Sequence, residues 1–356
     1  MIDISVDTYI TLLFPFEREL LPYTHDVERD LLDIPFEIGQ EFGEIAEHWK
    51  HVVTSRVVYV NGMVSDSYAP LGLPIDTIRS RLYALRAGAV LHLSTVATIE
   101  IPDRRSFPQP DGTELVMNRP ELESLYRQEL VRAANDVNGK LILVLNLGRP
   151  GIFDIGPSFS TDGTFIESSG VILSNLGFVA KLARKDRWPM LDPIAFRRIW
   201  EWVHAGDYTN GLGQTRVERG FNAYTRLFGD VAKSDGSEEL FWSLMGLEAL
   251  FCDGTGSTMN QVVARSQLLL GVHAPLKKAF NRAYAVRSAF IHGGLPFPGQ
   301  FFEFDVSTVF ADFSQKTSDA TTVAETILVA SLRELVLRRW HSIEFTTQLV
   351  GSTSRS

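Results

Sequence analysis

From Leu191 onward the apolar residues of this chain keep helical spacing with little interruption, and this constrains its fold more than any other feature. Residues 194–204, 215–228, 238–252, 259–270, 274–292 and 321–345 each carry an apolar stripe between turn-forming residues. Pro275 sits in the first turn of the fifth segment, where proline is tolerated. Gly293-Gly294 and then Pro296 follow its end, a combination that stops a helix. About six helices with short connections predict an antiparallel bundle over residues 189–350. Residues 351–356 are expected to be a disordered tail.

The composition shifts at Trp188-Pro189-Met190-Leu191-Asp192-Pro193. Before it, residues 55–61 and 140–147 are β-branched and apolar runs that read as strands, with weaker candidates at 163–166 and 171–174. Helical patterns occupy 75–96 and 121–137, the second entered through Pro120. The first 188 residues are therefore expected to form an α+β domain.

At 356 residues, 45% of them hydrophobic, the chain can bury a sizeable core, and its length suggests roughly two domains. No apolar run approaches the roughly 18 residues needed to cross a bilayer. Asp3 and Asp7 stand where a secretory signal needs basic residues, so a cytoplasmic location without membrane partners is expected. The single cysteine, Cys252, excludes an intramolecular disulfide and reads as a small core residue. A net charge of -9 argues against a general nucleic-acid coat.

The charge is unevenly distributed. No Asp or Glu occurs between Asp253 and Glu303, whereas Arg265, Lys277, Lys278, Arg282 and Arg287 all do. An acidic chain with one carboxylate-free basic stretch has the kind of surface that faces phosphate. On the helix expected there, Asn281, Tyr284, Arg287, Ser288 and His292 share an arc of about 140°, with Arg287 and His292 at its edges. A solvated face would be richer in paired Glu and Lys.

Arg287-Ser288-Ala289-Phe290-Ile291-His292 ends that helix as Arg, four residues, His, with a small polar residue after the Arg. Upstream, Leu240-Phe241-Trp242-Ser243-Leu244-Met245-Gly246-Leu247-Glu248-Ala249-Leu250-Phe251 is an apolar helix ending in Glu-Ala-Leu-Phe. Together these resemble the HEPN superfamily, and within it the Apea-like HEPN group, over roughly residues 196–348. The resemblance implies a HEPN-type helical bundle, a homodimer, and metal-independent RNA cleavage without a cofactor. In it Arg287 and His292 are the catalytic pair, contributed by two copies to one cleft. Ser288, Tyr284 and Asn281 would orient the imidazole or touch RNA, and Lys278 and Arg282 would hold phosphates. Glu248 would either orient Arg287 or form a plain ion pair between helices. The resemblance also implies a toxin-like or antiphage-defence effector whose first domain senses a phage-derived or small-molecule trigger. The alternative is a non-catalytic HEPN module that dimerises and binds RNA, nucleotide or a protein partner. A third, weaker reading is a small-molecule sensor in which the bundle only dimerises.

Other constellations are weaker. Glu44, Glu47, His48 and His51 could share a helix face but lack the order of a zinc-peptidase helix, so no metal is expected. Gly254-Thr255-Gly256-Ser257 reads as a turn with a helix cap, since no P-loop lysine follows. Arg79, Arg81 and Arg86 could form an RNA-guiding patch on the first domain but read more simply as a solvated face; His92 reads as a core histidine, and Trp340-His341 as the end of the last helix.

Overall fold

The computed structural model describes residues 2–13, 50–60, 88–151, 154–156, 158–169, 176–209, 211–228, 237–254, 257–295 and 308–346. They form a mixed α/β region followed by a largely helical one. In the first, β1 (Ile2–Leu13), β2 (Lys50–Val60) and β3 (Gly88–Ile99) pair antiparallel in the order β2-β3-β1. The strands β6 (Asp154–Ile155), β7 (Ser158–Thr161) and β8 (Ile166–Ser169) extend the sheet beyond β1. Strand β1 alternates cleanly: Ile4, Val6, Thr8 and Ile10 are buried, while Asp3 and Ser5 face out. A separate hairpin pairs β4 (Arg104–Pro108) with β5 (Glu114–Asn118). Its turn is tied by Asp111, whose carboxylate accepts from the Thr113 amide and hydroxyl.

Several expectations for this region fail. Residues 88–96, expected to be helical, belong to β3, and residues 75–87 lie outside the described residues. Leu93, Thr95, Ala97 and Ile99 also fit a two-residue repeat, which the helical reading overlooked. The 140–147 run, expected to be a strand, is the second half of α1 (Arg119–Gly148). Every residue from Leu141 to Gly148 is buried. A short apolar run buried on all sides has no periodicity by which to tell strand from helix. The helix starts at a capping box, as the Asn118 side-chain Oδ1 accepts from the Glu121 amide and the Glu121 carboxylate from the Asn118 backbone amide. Of the weaker strand candidates, residues 163–165 are a turn leading into β8, and 171–174 lie outside the described residues. His51 is in β2 rather than a helix. The side chain of His92, Arg79, Arg81, Arg86, residues 44–48 and the 351–356 tail lie outside the described residues.

The helical region contains α2 (Leu176–Asp186), α3 (Phe196–Ala205), α4 (Arg216–Thr225), α5 (Ser237–Phe251), α6 (Thr258–Leu270), α7 (Leu276–Ile291) and α8 (Thr308–Arg338). Helix α2 was not foreseen. Helix α8 begins earlier than expected and stops at Arg338, where Arg339 turns into the left-handed region. It touches each of the other seven helices among the described residues, and its Ala324–Val336 stretch is almost wholly buried.

The expected boundary at 188/189 falls inside a continuous core. One buried cluster runs from Ile4 in the sheet through α1 to Val336 in α8. Tyr224 of α4 donates its hydroxyl to the Leu143 carbonyl of α1 at 2.8 Å. Buried Arg333 of α8 donates to the carbonyls of Leu147, Gly148 and Asp192, thereby capping the end of α1. No described helix is long and apolar enough to cross a membrane.

Candidate functional site

Helices α5 and α7 carry the residues singled out above. The acidic first turn of α5, Glu238 and Glu239, suits the positive end of the helix dipole. Beyond its other end, Asp253 binds Arg216 and Arg265, which also donate to the last carbonyls, Cys252 and Phe251 respectively. Glu248 therefore projects from a helix fixed at both ends. Helix α7 buries Leu276, Phe280 and Ala283, and Arg287 continues that row one turn further on. It lies at the inner edge of the polar arc, against α5. His292 is the C-cap residue, exposed, with its amide bonded to the Ser288 carbonyl at 3.0 Å. Gly293, at φ 71°, supplies the left-handed residue that ends the helix, and the amides of Gly294 and Leu295 close onto the Ala289 carbonyl.

Arg287 Nη1 donates to Glu248 Oε1 at 3.1 Å, and the two side chains remain 26% and 22% exposed. The pair is thus reachable from solvent, not sealed in the core. The Arg287 guanidinium also lies 5.9 Å from the Tyr284 ring centroid. Arg287 Nε is buried and lacks a hydrogen-bonding partner among the described residues, and the Tyr284 hydroxyl is buried beside Glu248. Burial and the neighbouring Glu248 carboxylate push the Tyr284 phenol well above its usual range. Tyr284 is therefore a neutral O–H donor at physiological pH and no general base. Cys252, one turn beyond Glu248 and half-buried, has its thiol pushed up to about 11 by burial, then by Glu248. It is protonated and a poor nucleophile.

The chain matches no family model, no curated protein and no solved structure.

The remaining basic residues divide by face. Asn281, Arg282, Lys277, Lys278 and Ser288 are exposed. Of the five bases in the carboxylate-free segment, Arg265 and Arg287 meet carboxylates brought in from α5 and its exit, Asp253 and Glu248. Arg282 instead lines a groove of about 1120 Å³ between α2, α7 and α8. There it is joined by Lys181, Lys185 and Lys316, with Asp319 as the carboxylate among the described lining residues. Sequence reasoning missed these three lysines. The spacing of Lys181, Arg184 and Lys185, three and four residues apart on an otherwise apolar segment, could have revealed the basic face of α2. Ser257 occupies the N-cap of α6 but makes no side-chain cap bond. Among the described residues no group of His, Cys, Asp and Glu is arranged to hold a metal ion.

Proposed function

We propose that the protein is a metal-independent endoribonuclease of HEPN type, with Arg287 and His292 as its catalytic residues and two copies of the chain forming the active cleft. The observation that carries this is the end of α7. A guanidinium held by Glu248, yet open to solvent, precedes by five residues an exposed imidazole at the helix C-cap. RNA supplies its own nucleophile. The 2′-oxygen attacks phosphorus, the bond to the 5′-oxygen breaks, and a 2′,3′-cyclic phosphate and a 5′-hydroxyl result. One imidazole takes the 2′-hydroxyl proton and the second copy's imidazole delivers one to the leaving oxygen, as general base and general acid. The Arg287 fork stabilises the extra charge on the phosphorane oxygens. Glu248 fixes the fork through one nitrogen, and the Tyr284 hydroxyl is a neutral donor beside it. Ser288 and Asn281 flank the cleft. Lys278, Arg282 and the groove that Arg282 shares with Lys181, Lys185 and Lys316 hold flanking phosphates. In the cell the activity serves a toxin-like or defence role in the cytoplasm, restrained by the sheet-containing region until a trigger binds there.

The same ion pair favours a second reading. A carboxylate on Arg287 neutralises much of its charge, which suits a HEPN module that dimerises and binds RNA, nucleotide or a protein without cutting. The experiment is RNA cleavage in EDTA by the wild type and by His292→Ala and Arg287→Ala, with dimerisation followed by light scattering. His292→Ala should abolish cleavage and leave the dimer intact. Arg287→Ala should lower cleavage by about 10²–10³. Undiminished cleavage by His292→Ala would remove the imidazole from the reaction. RNA binding without cleavage by the wild type would select the non-catalytic module.

A further inference from the structure

We propose that the RNA taken by this site is single-stranded and runs along the exposed face of α7, where Lys277, Lys278 and Arg282 hold its phosphates on one side of the bond that is cut; this rests on the nuclease reading above. Packing divides the five cations of the carboxylate-free stretch into two sets. Arg265 and Arg287 are paired with Asp253 and Glu248. The other three are Lys277, Lys278 and Arg282, and among the described residues no hydrogen bond or ion pair engages their side chains. All three are exposed on α7. Asn281, Ala285 and Ser288 are exposed with them, and together these residues share an arc of about 140° that leads to His292. The 16 residues of the helix include no Asp or Glu. Arg282 also borders the groove against α2 and α8, where Asp319 accepts a hydrogen bond from Gln315 at 2.9 Å.

Helix stability does not account for the three cations. Lys278 and Arg282 stand four residues apart, the spacing at which like charges on a helix repel. Lys277 and Lys278 occupy the first turn, where the helix dipole disfavours cations. A helix with unpaired, mutually repelling cations on its solvent face gains from a polyanion laid across all of them, because each phosphate neutralised also releases condensed counterions. Ala285 and Ser288 are short, so no long side chain of α7 stands on this face between Arg282 and His292.

The dimensions and the chemistry both select a single strand. From Lys278 to His292 the helix rises about 21 Å at about 1.5 Å per residue. That is the length of about six nucleotides at a stacked rise of about 3.4 Å. The face is one helix wide, the width of one strand. In the proposed reaction the 2′-oxygen must come in line with the departing 5′-oxygen. A single strand bends into that alignment, whereas an A-form duplex holds the oxygen off the line.

The test uses the full chain and fluorescein-labelled 2′-O-methyl oligouridylates, which lack the attacking hydroxyl and so report binding apart from cleavage. Affinity should rise with length up to about six nucleotides and fall with salt. Lys277→Gln, Lys278→Gln and Arg282→Gln should each reduce the slope of log affinity against log salt by about 0.7. Arg104→Gln, on the β4–β5 hairpin, should leave the slope unchanged. Lys278→Glu places an acid in the first turn, four residues before Arg282, and should melt higher than the wild type. It should nonetheless bind the oligomer roughly tenfold more weakly. A duplex of the same length should bind more weakly than the single strand and resist cleavage. The proposal is overturned by unchanged slopes in all three glutamine variants, or by a duplex bound and cut as well as the single strand. Poly-glutamate competing as effectively as the oligomer would also overturn it, by pointing to an acidic protein partner. A wild type that binds in this way but cuts no unmodified RNA would keep the track and remove the nuclease, and cleavage with unchanged slopes would do the reverse.

Discussion

Glu325 sits in the middle of α8 with no exposure, both carboxyl oxygens unpaired among the described residues, and the buried Glu239 nearby. Burial, and then Glu239, push its carboxyl well above the ordinary range, so the group is kept protonated in the fold. A carboxyl whose pKa is higher folded than unfolded binds more protons in the native state. Stability therefore falls as pH rises through the interval between the two values. Glu325→Gln should remove that slope and stabilise the protein at pH 8 by on the order of 1 kcal/mol, read from melting temperatures between pH 4.5 and 8.5. An unchanged slope would show that Glu325 is not its source. The same logic bears on the candidate site. Glu248→Gln leaves Arg287 beside a neutral amide, and if the ion pair positions the guanidinium for RNA, cleavage should drop with RNA affinity retained. A purely structural pair would lower the melting temperature and leave the turnover of the folded fraction unaltered.

At the level of elements, the close approach of the chain leaving α1 to the first turn of α2 depends on one glycine. Gly151 follows α1 at φ 73°, and a Cβ there would lie 2.3 Å from the Gly177 amide nitrogen at the start of α2. The obstacle is backbone, which cannot rotate aside as a side chain can. Gly151→Ala combines a disfavoured conformation with that clash and should cost about 3 kcal/mol or more, measured by urea unfolding. A loss under 0.5 kcal/mol would show that the two helices can separate freely. Helix ends on α5 and α7 were legible in advance because they rest on local chemistry, such as Pro275 in the first turn and Gly293 after the last. Helix α2 was missed because Leu176, Val179, Ala180 and Ala183 make a stripe too short to stand out, and its burial comes from α8.

Over the whole molecule, the continuous core makes the two regions mutually dependent. The bundle's Tyr224 and Arg333 bond to α1 carbonyls, and the buried 141–148 stretch fills space between the sheet and the bundle. A fragment of residues 189–350 should therefore lack a cooperative melt by circular dichroism, whereas the full chain should unfold in one transition. A fragment with the full chain's sharp melt would restore an independent bundle. Arg333→Met leaves the carbonyls of Leu147, Gly148 and Asp192 without their cation and should destabilise the full chain by about 3 kcal/mol.

The sequence alone determined the helical character of residues 196–204, 216–225, 238–251, 259–270, 276–291 and 321–338, the end of α7 and the polar arc of that helix, because these depend on spacing along a single segment. It could not determine which side of that arc meets a neighbour. That Glu248 holds Arg287, that Asp253 neutralises Arg265, and that Arg282 joins lysines from α2 and α8 are consequences of packing between distant segments. The run at 140–147 shows the reason most directly. Apolar but for Lys140 and Asn146, it carried no periodicity, and only the elements closing around it decided that it would be a helix.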